Sequence, residues 1–329
     1  MFVDRSNDVQ TQSDSPVTPA GERPRLSVLV VSYNTRALTL KALETLYATT
    51  RTIPFETILV DNASADGSAE AIAAAFPQVK LIRSAENLGF ARGNNLAAAS
   101  ARGEWILLLN PDTEVYENAI ANLVAFGEAN PAAGIYGGRT VFPDGSLNIT
   151  SCYNRPTPWS LFCKGIGLSA LFPANPIFDT ERIGAWQRDS VRQVDIIFGC
   201  FLLIRKSLWD KLGGFDTSFF MYSEDADLCL RARALGYRPM FTPNATIMHL
   251  VGASSSAKAE RIVYMCRGTR RLVERHWSPP LRPFGLAMIT TTVWTRMSAS
   301  AVLARLSPSR YTHLATQWGR VWNERSAWR

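Results

Sequence analysis

The stretch Trp105-Ile-Leu-Leu-Leu-Asn110-Pro111-Asp112-Thr113 decides how the chain is organised. Five apolar residues followed by a proline, which cannot extend a hydrogen-bonded ladder, are typical of a buried central strand that ends in a turn. Asp112 then lies at the carboxyl end of a core strand. Ligands bind at that edge of open α/β sheets, and a carboxylate held there suits a hard divalent cation. The alternative is that Asp112 only caps a helix starting near Glu114.

Three further strands precede this one, and each is followed by a helical segment. The strands are predicted at residues 26–32, 55–61 and 79–83, and the helices at residues 36–50, 69–76 and 96–101. Strands that alternate with helices in units of about 30 residues indicate right-handed βαβ crossovers and a parallel sheet. The sequence therefore predicts an α/β fold with a Rossmann-like, mainly parallel sheet flanked by helices.

Polar side chains follow the ends of these strands. They are Tyr33 and Asn34, Asp61 and Asn62, Asn87, and Asp112. Because the carboxyl ends of parallel strands share one edge, we expect these side chains to face one crevice.

A nicotinamide-dinucleotide site must be weighed, because an acid also ends the second strand in that fold. The first turn here, Ser32-Tyr33-Asn34-Thr35-Arg36, lacks the glycines that let a backbone approach a pyrophosphate. A Walker-type phosphate loop is absent from the sequence as well. A bound diphosphate therefore needs another neutralising group, and a divalent cation on Asp112 would provide one.

A second group of acids, Glu224, Asp225 and Asp227, follows the aromatic run Phe219-Phe-Met-Tyr222 and opens a helix at residues 228–236. Acids in a first helical turn are stabilised by the macrodipole, so a well-capped helix is one interpretation. The other is that the aromatic run holds a carboxylate against an apolar wall, which raises its pKa and makes it a general base.

Two more features have a functional and a structural interpretation each. A strand at residues 245–249 ends at His249, which is either a second metal ligand or a core histidine. The Pro-rich and aromatic-rich insert at residues 152–192 is either a binding loop or a solvent-exposed surface loop.

The rest of the composition describes a globular chain with distinct ends. Residues 1–24 are rich in Ser, Thr, Pro and Asp without an apolar period and are predicted to form a disordered leader. Five widely spaced cysteines without a CxxC pair argue against a disulfide framework or a structural zinc site and favour a reducing compartment.

The basic charge is concentrated in the tail, residues 252–329, which has thirteen Lys and Arg but three acidic residues. Five of the nine tryptophans lie there among arginines. This mixture suits a helix lying on an anionic membrane surface, and the alternative is an amphipathic helix packed on the preceding domain. Charges interrupt the apolar segment 284–306, so we do not expect it to span a membrane.

Six motifs together resemble the family 2 glycosyltransferases with the GT-A fold, and most closely their rhamnosyltransferase-like branch. The motifs are Val-Val-Ser-Tyr33-Asn34, Val60-Asp61-Asn62-Ala-Ser, Asn87-Leu-Gly-Phe, Leu109-Asn110-Pro111-Asp112, Gly213-Gly-Phe-Asp216 and Ser223-Glu224-Asp225-x-Asp227-Leu-Cys-Leu-Arg231. The resemblance spans about residues 25–251 and implies a GT-A catalytic domain there, followed by the helical tail.

The resemblance also implies roles for particular residues. Nucleotide-sugar binding is assigned to Tyr33, Asn34, Asp61, Asn87, Asn110 and Arg231, with Arg231 meeting the leaving diphosphate. A divalent cation, Mg²⁺ or Mn²⁺, is assigned to Asp112 and His249. The base is assigned to Asp225, with Glu224 beside it, and the acceptor to Asp195 and Asp227. The usual D-x-D is replaced by Asn110-Pro111-Asp112, so only one carboxylate remains for the metal.

The expected activity is inverting transfer of a sugar, with L-rhamnose from dTDP-rhamnose as the leading donor, to a lipid-linked or cell-envelope glycan. A polyprenyl-diphosphate acceptor would place the protein in the cytoplasm, on the inner face of the membrane. The alternatives are a UDP- or GDP-sugar donor and a non-catalytic sugar-nucleotide binding protein. A nucleic-acid partner is not expected, because the sequence has no recognised binding motif.

Overall fold

A computed structural model describes residues 23–250 and 258–329, so the predicted leader lies outside the described residues except for its last two. The strands are β1 (Leu26–Ser32), β2 (Phe55–Asp61), β3 (Lys80–Arg83), β4 (Trp105–Leu109), β5 (Thr113–Val115), β6 (Ile135–Val141), β7 (Leu147–Asn148), β8 (Cys152–Tyr153), β9 (Arg192–Gln193), β10 (Ile196–Ile197), β11 (Phe201–Arg205) and β12 (Met240–His249). The helices are α1 (Arg36–Thr49), α2 (Ser68–Ala75), α3 (Gly89–Ala98), α4 (Ala119–Ala129), α5 (Pro158–Gly165), α6 (Leu168–Leu171), α7 (Lys206–Leu212), α8 (Glu224–Ala234), α9 (Lys258–His276), α10 (Arg282–Leu306) and α11 (Pro308–Asn323).

The large sheet confirms the predicted α/β class. Its strand order is β3-β2-β1-β4-β11-β6-β12-β5, with β7 paired to β6 and β9 paired to β12. Strands β1 to β4 pair in parallel, whereas β11 runs antiparallel between β4 and β6. The sheet is therefore parallel in its first half and mixed in its second.

Strand β4 lies inside the sheet, and all five of its residues are buried. Apolar residues of α1, α2 and α4 cover one face of the sheet, and apolar residues of α3, α7 and α8 cover the other. A strand buried on both faces needs an uninterrupted apolar sequence, which explains the run in β4. Asp112 follows β4 closely and is thus held by the most constrained part of the core.

Two predictions for the first half are wrong. Helix α3 begins at Gly89 and not at residue 96, because the side chain of Asn87 accepts the backbone N–H of Gly89 at 2.9 Å and satisfies a donor at the start of the helix. Asp112 is not a helix cap, because the residues after it form strand β5 and the next helix begins at Ala119.

The insert at residues 152–192 is a folded segment that contains α5 and α6. Its centre is Arg188, which is fully buried and donates hydrogen bonds to the carbonyl oxygens of Cys152 and Ile183. Several apolar side chains on its outer side are nevertheless exposed, and Leu171 reaches 71%.

The tail helices α9, α10 and α11 pack together and against α5 of the insert. Val263, Val273, Val293 and Trp328 form the buried part of this cluster together with Leu161 of α5. In the part of the chain that the structure describes, no helix combines the length and the apolar character that a bilayer crossing requires.

Candidate active site

The ends of β4 and β12 bring Asn110, Asp112 and His249 together. Strand β5 pairs antiparallel with the end of β12, with Thr113 opposite His249. As a result, Nε2 of His249 lies 3.3 Å from Oδ1 of Asp112 and 3.3 Å from Nδ2 of Asn110. The structure therefore brings the two residues assigned to the metal into direct contact, in a site where both are buried.

The side chains at this corner suit a hard divalent cation whose remaining ligands would come from a bound diphosphate. The Oδ1 atom of Asn110 and the Nδ1 atom of His249 are buried without a hydrogen-bond partner among the described residues, and leaving such an atom unpaired costs about 1–3 kcal/mol. No cluster of three or more His, Cys, Asp or Glu suited to a metal occurs in residues 23–250 and 258–329. Mg²⁺ is commonly held by one or two carboxylates plus substrate phosphates, which agrees with so few protein ligands.

His249 also carries a perturbed pKa. Burial disfavours the charged imidazole, but the Cys200 and Asp112 side chains outweigh burial and raise the pKa of His249 to about 10. A metal ligand must be deprotonated, so a cation here would compete with this proton.

The loops after β1 and β2 form a second, polar wall. Asn34 joins them, because its backbone N–H donates to Oγ of Ser64 at 3.0 Å and its Oδ1 accepts the N–H of Ala65 at 2.8 Å. Asp61 is buried, and its Oδ2 accepts the N–H of Ser64 while its Oδ1 has no partner among the described residues. A buried, unpaired carboxylate oxygen is suited to a hydroxyl or N–H donor of a ligand. Tyr33 is exposed beside it.

Asn87 belongs to a small amide network that sequence reasoning described only in part. Nδ2 of Asn62 donates to Oδ1 of Asn87 at 2.8 Å, and Oδ1 of Asn62 accepts the N–H of Leu88 at 2.8 Å. Gly89 lies directly under the ring of Phe220, where an added Cβ would come within 2.3 Å of the Phe220 carbonyl oxygen. Asn62 is thus a structural support for Asn87, and the motif Asp61-Asn62 was the sequence signal for it.

Glu224 and Asp225 are buried at the start of α8. Oδ2 of Asp225 accepts the N–H of Gly199 at 3.1 Å, and Oδ1 accepts the N–H of Ala226 at 2.7 Å. Burial raises the pKa of Asp225 to about 6, although these two N–H groups lower it in part. Burial and repulsion by Asp225 raise the pKa of Glu224 further, and Oε2 of Glu224 has no partner in the described residues.

The consecutive residues Gly199 and Cys200 connect the acids to the metal corner. Gly199 donates to Asp225, and the carbonyl oxygen of Cys200 accepts the N–H of Asn110 at 3.2 Å. The ring of Phe90, which follows the Asn87 loop, packs on the α-carbon of Gly199. The acid pair and the metal corner are therefore linked through the backbone of Gly199 and Cys200, two residues to which the sequence analysis gave no role.

The assignments of Asp227 and Arg231 do not fit the structure. Asp227 is fully buried, and both of its oxygens are occupied: Oδ2 by Nε of Arg231 at 2.7 Å and Oδ1 by Nε2 of His276 at 2.8 Å, with Nε of Arg275 at 3.3 Å. It has no free surface for an acceptor. Arg231 also donates to the carbonyl oxygens of Leu212 and Gly214, so its guanidinium is not available for a leaving diphosphate.

Asp195, the other residue assigned to the acceptor, is engaged in two ion pairs. Its Oδ1 lies 2.9 Å from Nη2 of Arg233, and its Oδ2 lies 3.9 Å from Nε of Arg155. The same Oδ2 also accepts the backbone N–H of Arg155 at 3.0 Å. The carboxylate is partly exposed, so these contacts do not close it off entirely. Both arginines that it contacts border a cavity beside Trp277.

A mostly parallel, Rossmann-like sheet flanked by helices, with an acid and a histidine at one edge, is an architecture of the GT-A type. The chain belongs to glycosyltransferase family 2: residues 27–212 match the family described as "Glycosyl transferase family 2", and residues 176–319 match "Glycosyl transferase family group 2". It is a glycosyltransferase, and its similarity to rhamnosyltransferases supports the predicted branch.

Two curated relatives and one solved structure show this similarity. The chain is 31% identical to N-acetylglucosaminyl-diphospho-decaprenol L-rhamnosyltransferase of Mycobacterium tuberculosis, over 70% of this chain and 79% of that protein. It is 29% identical to rhamnosyltransferase WbbL of Escherichia coli K12, over 49% of this chain and 60% of that protein. The mannosyltransferase PcManGT of Pyrobaculum calidifontis, solved with GDP-Man and Mn²⁺, shares the fold with a TM-score of 0.54 and 20% identity, over 93% of this chain and 86% of that one.

Proposed function

We propose that this glycosyltransferase inverts the anomeric configuration as it transfers L-rhamnose from dTDP-rhamnose to a hydroxyl of a polyprenyl-diphosphate-linked glycan. The observation that supports it most is the buried carboxyl of Asp225, which is linked to the Asn110–Asp112–His249 corner through the consecutive residues Gly199 and Cys200. The transferred sugar and the acceptor class are those named for the relative from Mycobacterium tuberculosis, and dTDP-rhamnose is the donor that the sequence analysis favours. A UDP- or GDP-sugar donor is the second candidate.

Asp225 is suited to the role of general base. A base is most effective when its pKa lies near the working pH, and burial has moved the pKa of Asp225 upward to about 6. The N–H groups of Gly199 and Ala226 fix the orientation of the carboxylate. The acceptor hydroxyl would transfer its proton to this carboxylate while its oxygen attacks the anomeric carbon.

Asp112, His249 and the Asn110 amide oxygen would hold a divalent cation together with the donor diphosphate. When bound, the cation neutralises the charge that develops on the leaving nucleoside diphosphate. Asp61 and Asn87 would position the nucleoside, with Asp61 accepting hydrogen bonds through its unpaired Oδ1. Tyr33 lies on the exposed side of the same wall, where an aromatic face can contact a base.

A thermal-shift experiment tests the donor and the cation together, because a ligand that binds the native state raises the apparent stability. The full chain is heated with dTDP, UDP or GDP, each with and without Mg²⁺ or Mn²⁺. We expect a metal-dependent shift with dTDP that Asp112→Asn abolishes, while the exposed control Asp144→Asn keeps it. A preference for UDP or GDP would replace the donor assignment, and no shift with any nucleotide would favour a non-catalytic protein.

We also infer that the protein works on the inner face of the cell membrane as a peripheral protein. Helix α10 exposes Trp294, Val302 and Leu306, and its Arg305 is exposed without an ion-pair partner in the described part of the chain. The insert packed against α10 exposes Leu171. Apolar and cationic side chains on one surface are suited to anionic lipid. Trp294→Ser with Leu306→Ser should reduce co-sedimentation with phosphatidylglycerol vesicles, while Leu235→Ser on α8 should not. Equal sedimentation of all three proteins would contradict the membrane site.

A further inference from the structure

A basic cavity lies between the turn that precedes α8 and the tail helix α9. Its volume is about 440 Å³, and we call it the arginine cavity. The residues of its lining that carry the argument are Phe220, Tyr222, Tyr264, Arg267 and Arg271. The volume is in the range of small-molecule sites, and none of the roles described above uses it.

Two arginines that line the arginine cavity are outside its ion pair, although Nε of Arg267 donates a hydrogen bond to the carbonyl oxygen of Ala327 at 2.6 Å. Neither Arg267 nor Arg271 has a carboxylate partner among the described residues, whereas Arg270 pairs with Glu274 at 2.8 Å. Arg267 lies over the Tyr264 ring at 5.5 Å, and Arg271 lies over the Phe219 ring at 6.0 Å. A guanidinium held over a ring keeps N–H groups at its edge for a phosphate, which it can bind through two hydrogen bonds.

The arginine cavity is directly connected to the acid pair. Tyr222 and Ser223, which precede Glu224, both adopt left-handed backbone angles with φ of 68° and 74°. Helix α9 braces this strained turn through Gly268, where an added Cβ would lie 2.5 Å from Oγ of Ser223. Such strain persists only where the surroundings hold it, so α9 and the acid pair form one unit.

The cavity also has an apolar side. Phe220 stacks on Tyr264 with ring centroids 5.4 Å apart and remains 38% exposed. Phe220 covers Gly89 as well, so the cavity lies beside the start of α3, next to the loop that carries Asn87. A ligand that fills it would combine a multiply charged anion with an apolar segment.

We propose that the arginine cavity binds the diphosphate of a lipid-linked acceptor, with Arg267 and Arg271 on phosphate oxygens and Phe220 and Tyr264 against the first carbons of the lipid. This inference rests on the proposed function for the identity of the acceptor. A sugar attached to that diphosphate would extend along the Tyr222 turn toward Asp225. The anionic headgroup of a bilayer lipid shares the phosphate chemistry, so the test separates the two sources.

The test measures binding of farnesyl diphosphate to the full chain by isothermal titration calorimetry. Arg271→Gln is the main variant, because Arg271 is exposed and donates no hydrogen bond to the described residues, so its loss should leave the fold intact. We expect Arg271→Gln to weaken binding about tenfold, and Arg267→Gln with Arg271→Gln to weaken it further. The dissociation constant for dTDP should not change.

The matched control is Arg305→Gln with Arg310→Gln, which removes the same charge from an exposed part of the tail. We expect it to keep farnesyl diphosphate binding and to lose affinity for phosphatidylglycerol vesicles. The proposal is overturned if the wild-type chain does not bind farnesyl diphosphate, if the Arg267 and Arg271 variants bind as tightly as wild type, or if the control loses as much.

The two proposals can fail separately. If the chain hydrolyses dTDP-rhamnose but does not bind farnesyl diphosphate, the role of the arginine cavity is contradicted and the donor assignment stands. If the chain binds farnesyl diphosphate specifically but uses no sugar nucleotide, the proposed function is contradicted and the arginine cavity stands as a diphosphate site.

Discussion

Asp225 and Asp227 lie two residues apart in the first turn of α8, both are buried, and their carboxyl groups behave in opposite ways. Burial raises the pKa of Asp225, which receives hydrogen bonds from backbone N–H groups alone. Burial acts on Asp227 too, but the hydrogen bond from His276 and the charge of Arg231 outweigh it and lower the pKa. The same residue type thus has a raised pKa at one position, as the proposed base requires, and holds the tail through ion pairs at the other.

The largest effect is expected for Asp225→Asn. An amide cannot accept the acceptor proton, so the transfer rate should fall by about 10²–10⁴-fold. Nucleotide binding in the thermal-shift experiment should persist, because Asp225 does not contact the donor in the proposed arrangement. The rate is measured by release of nucleoside diphosphate in the presence of acceptor. Full activity of this variant would remove Asp225 from its proposed role.

Asp227→Asn should act on stability. The change leaves Arg231, Arg275 and His276 without their shared anion, and breaking a buried ion pair costs about 3–5 kcal/mol. Urea unfolding measures this loss. Asp210→Asn is the control, because Asp210 pairs with Lys206 at the surface and should change the free energy of unfolding by less than about 1 kcal/mol. Equal stability of both variants would mean that Asp227 anchors nothing.

The pH dependence of the rate should report Asp225. A base must be deprotonated, so kcat/KM should fall about tenfold per pH unit below the raised pKa of about 6. An acid limb near the ordinary aspartate pKa of about 4 would show that burial does not act on the group that governs catalysis.

The effect that is spread over the widest pH range concerns Glu224, whose carboxyl is buried with an oxygen that has no partner in the described residues. Its pKa is raised from 4.5 to about 8, so the folded chain binds an extra proton in that interval. The free energy of unfolding should therefore decrease as the pH rises from 4.5 to 8, by at most about 1.4 kcal/mol per pH unit. Glu224→Gln should flatten this part of the profile. If the free energy of unfolding depends on pH as steeply in Glu224→Gln as in the wild type, another group binds the extra proton.

The sequence predicted features that local pattern determines. The apolar run of β4 requires a strand covered on both faces, and Pro111 requires a turn after it, so the position of Asp112 followed from a few residues. The contacts of Asp227 and Arg231 could not be predicted in this way. Their i,i+4 pairing is visible in the sequence, but Arg275 and His276 belong to another helix, and the carbonyl of Leu212 comes from the end of α7. Contacts across that distance depend on packing that no local pattern contains.

Contacts between the loops at the carboxyl ends of the strands depend on tertiary packing in the same way. Gly199 was given no role in the sequence analysis, because its N–H bond to Asp225 depends on how the segment before β11 meets α8. Helix α3 began earlier than expected because Asn87 and Asn62 come from loops of different strands and together support its first turn. Polar residues that form hydrogen bonds between different loops produce no periodic pattern in the sequence.

The stereochemistry of the transferred sugar tests the central claim most directly. The full chain is incubated with dTDP-rhamnose, Mg²⁺ and an N-acetylglucosaminyl-diphospho-isoprenoid acceptor, and the anomeric configuration of the product is determined by NMR. One base acting on the acceptor hydroxyl predicts a single displacement, and hence a product of inverted configuration. A product with retained configuration, or no product from dTDP-, UDP- or GDP-sugars, would contradict the account.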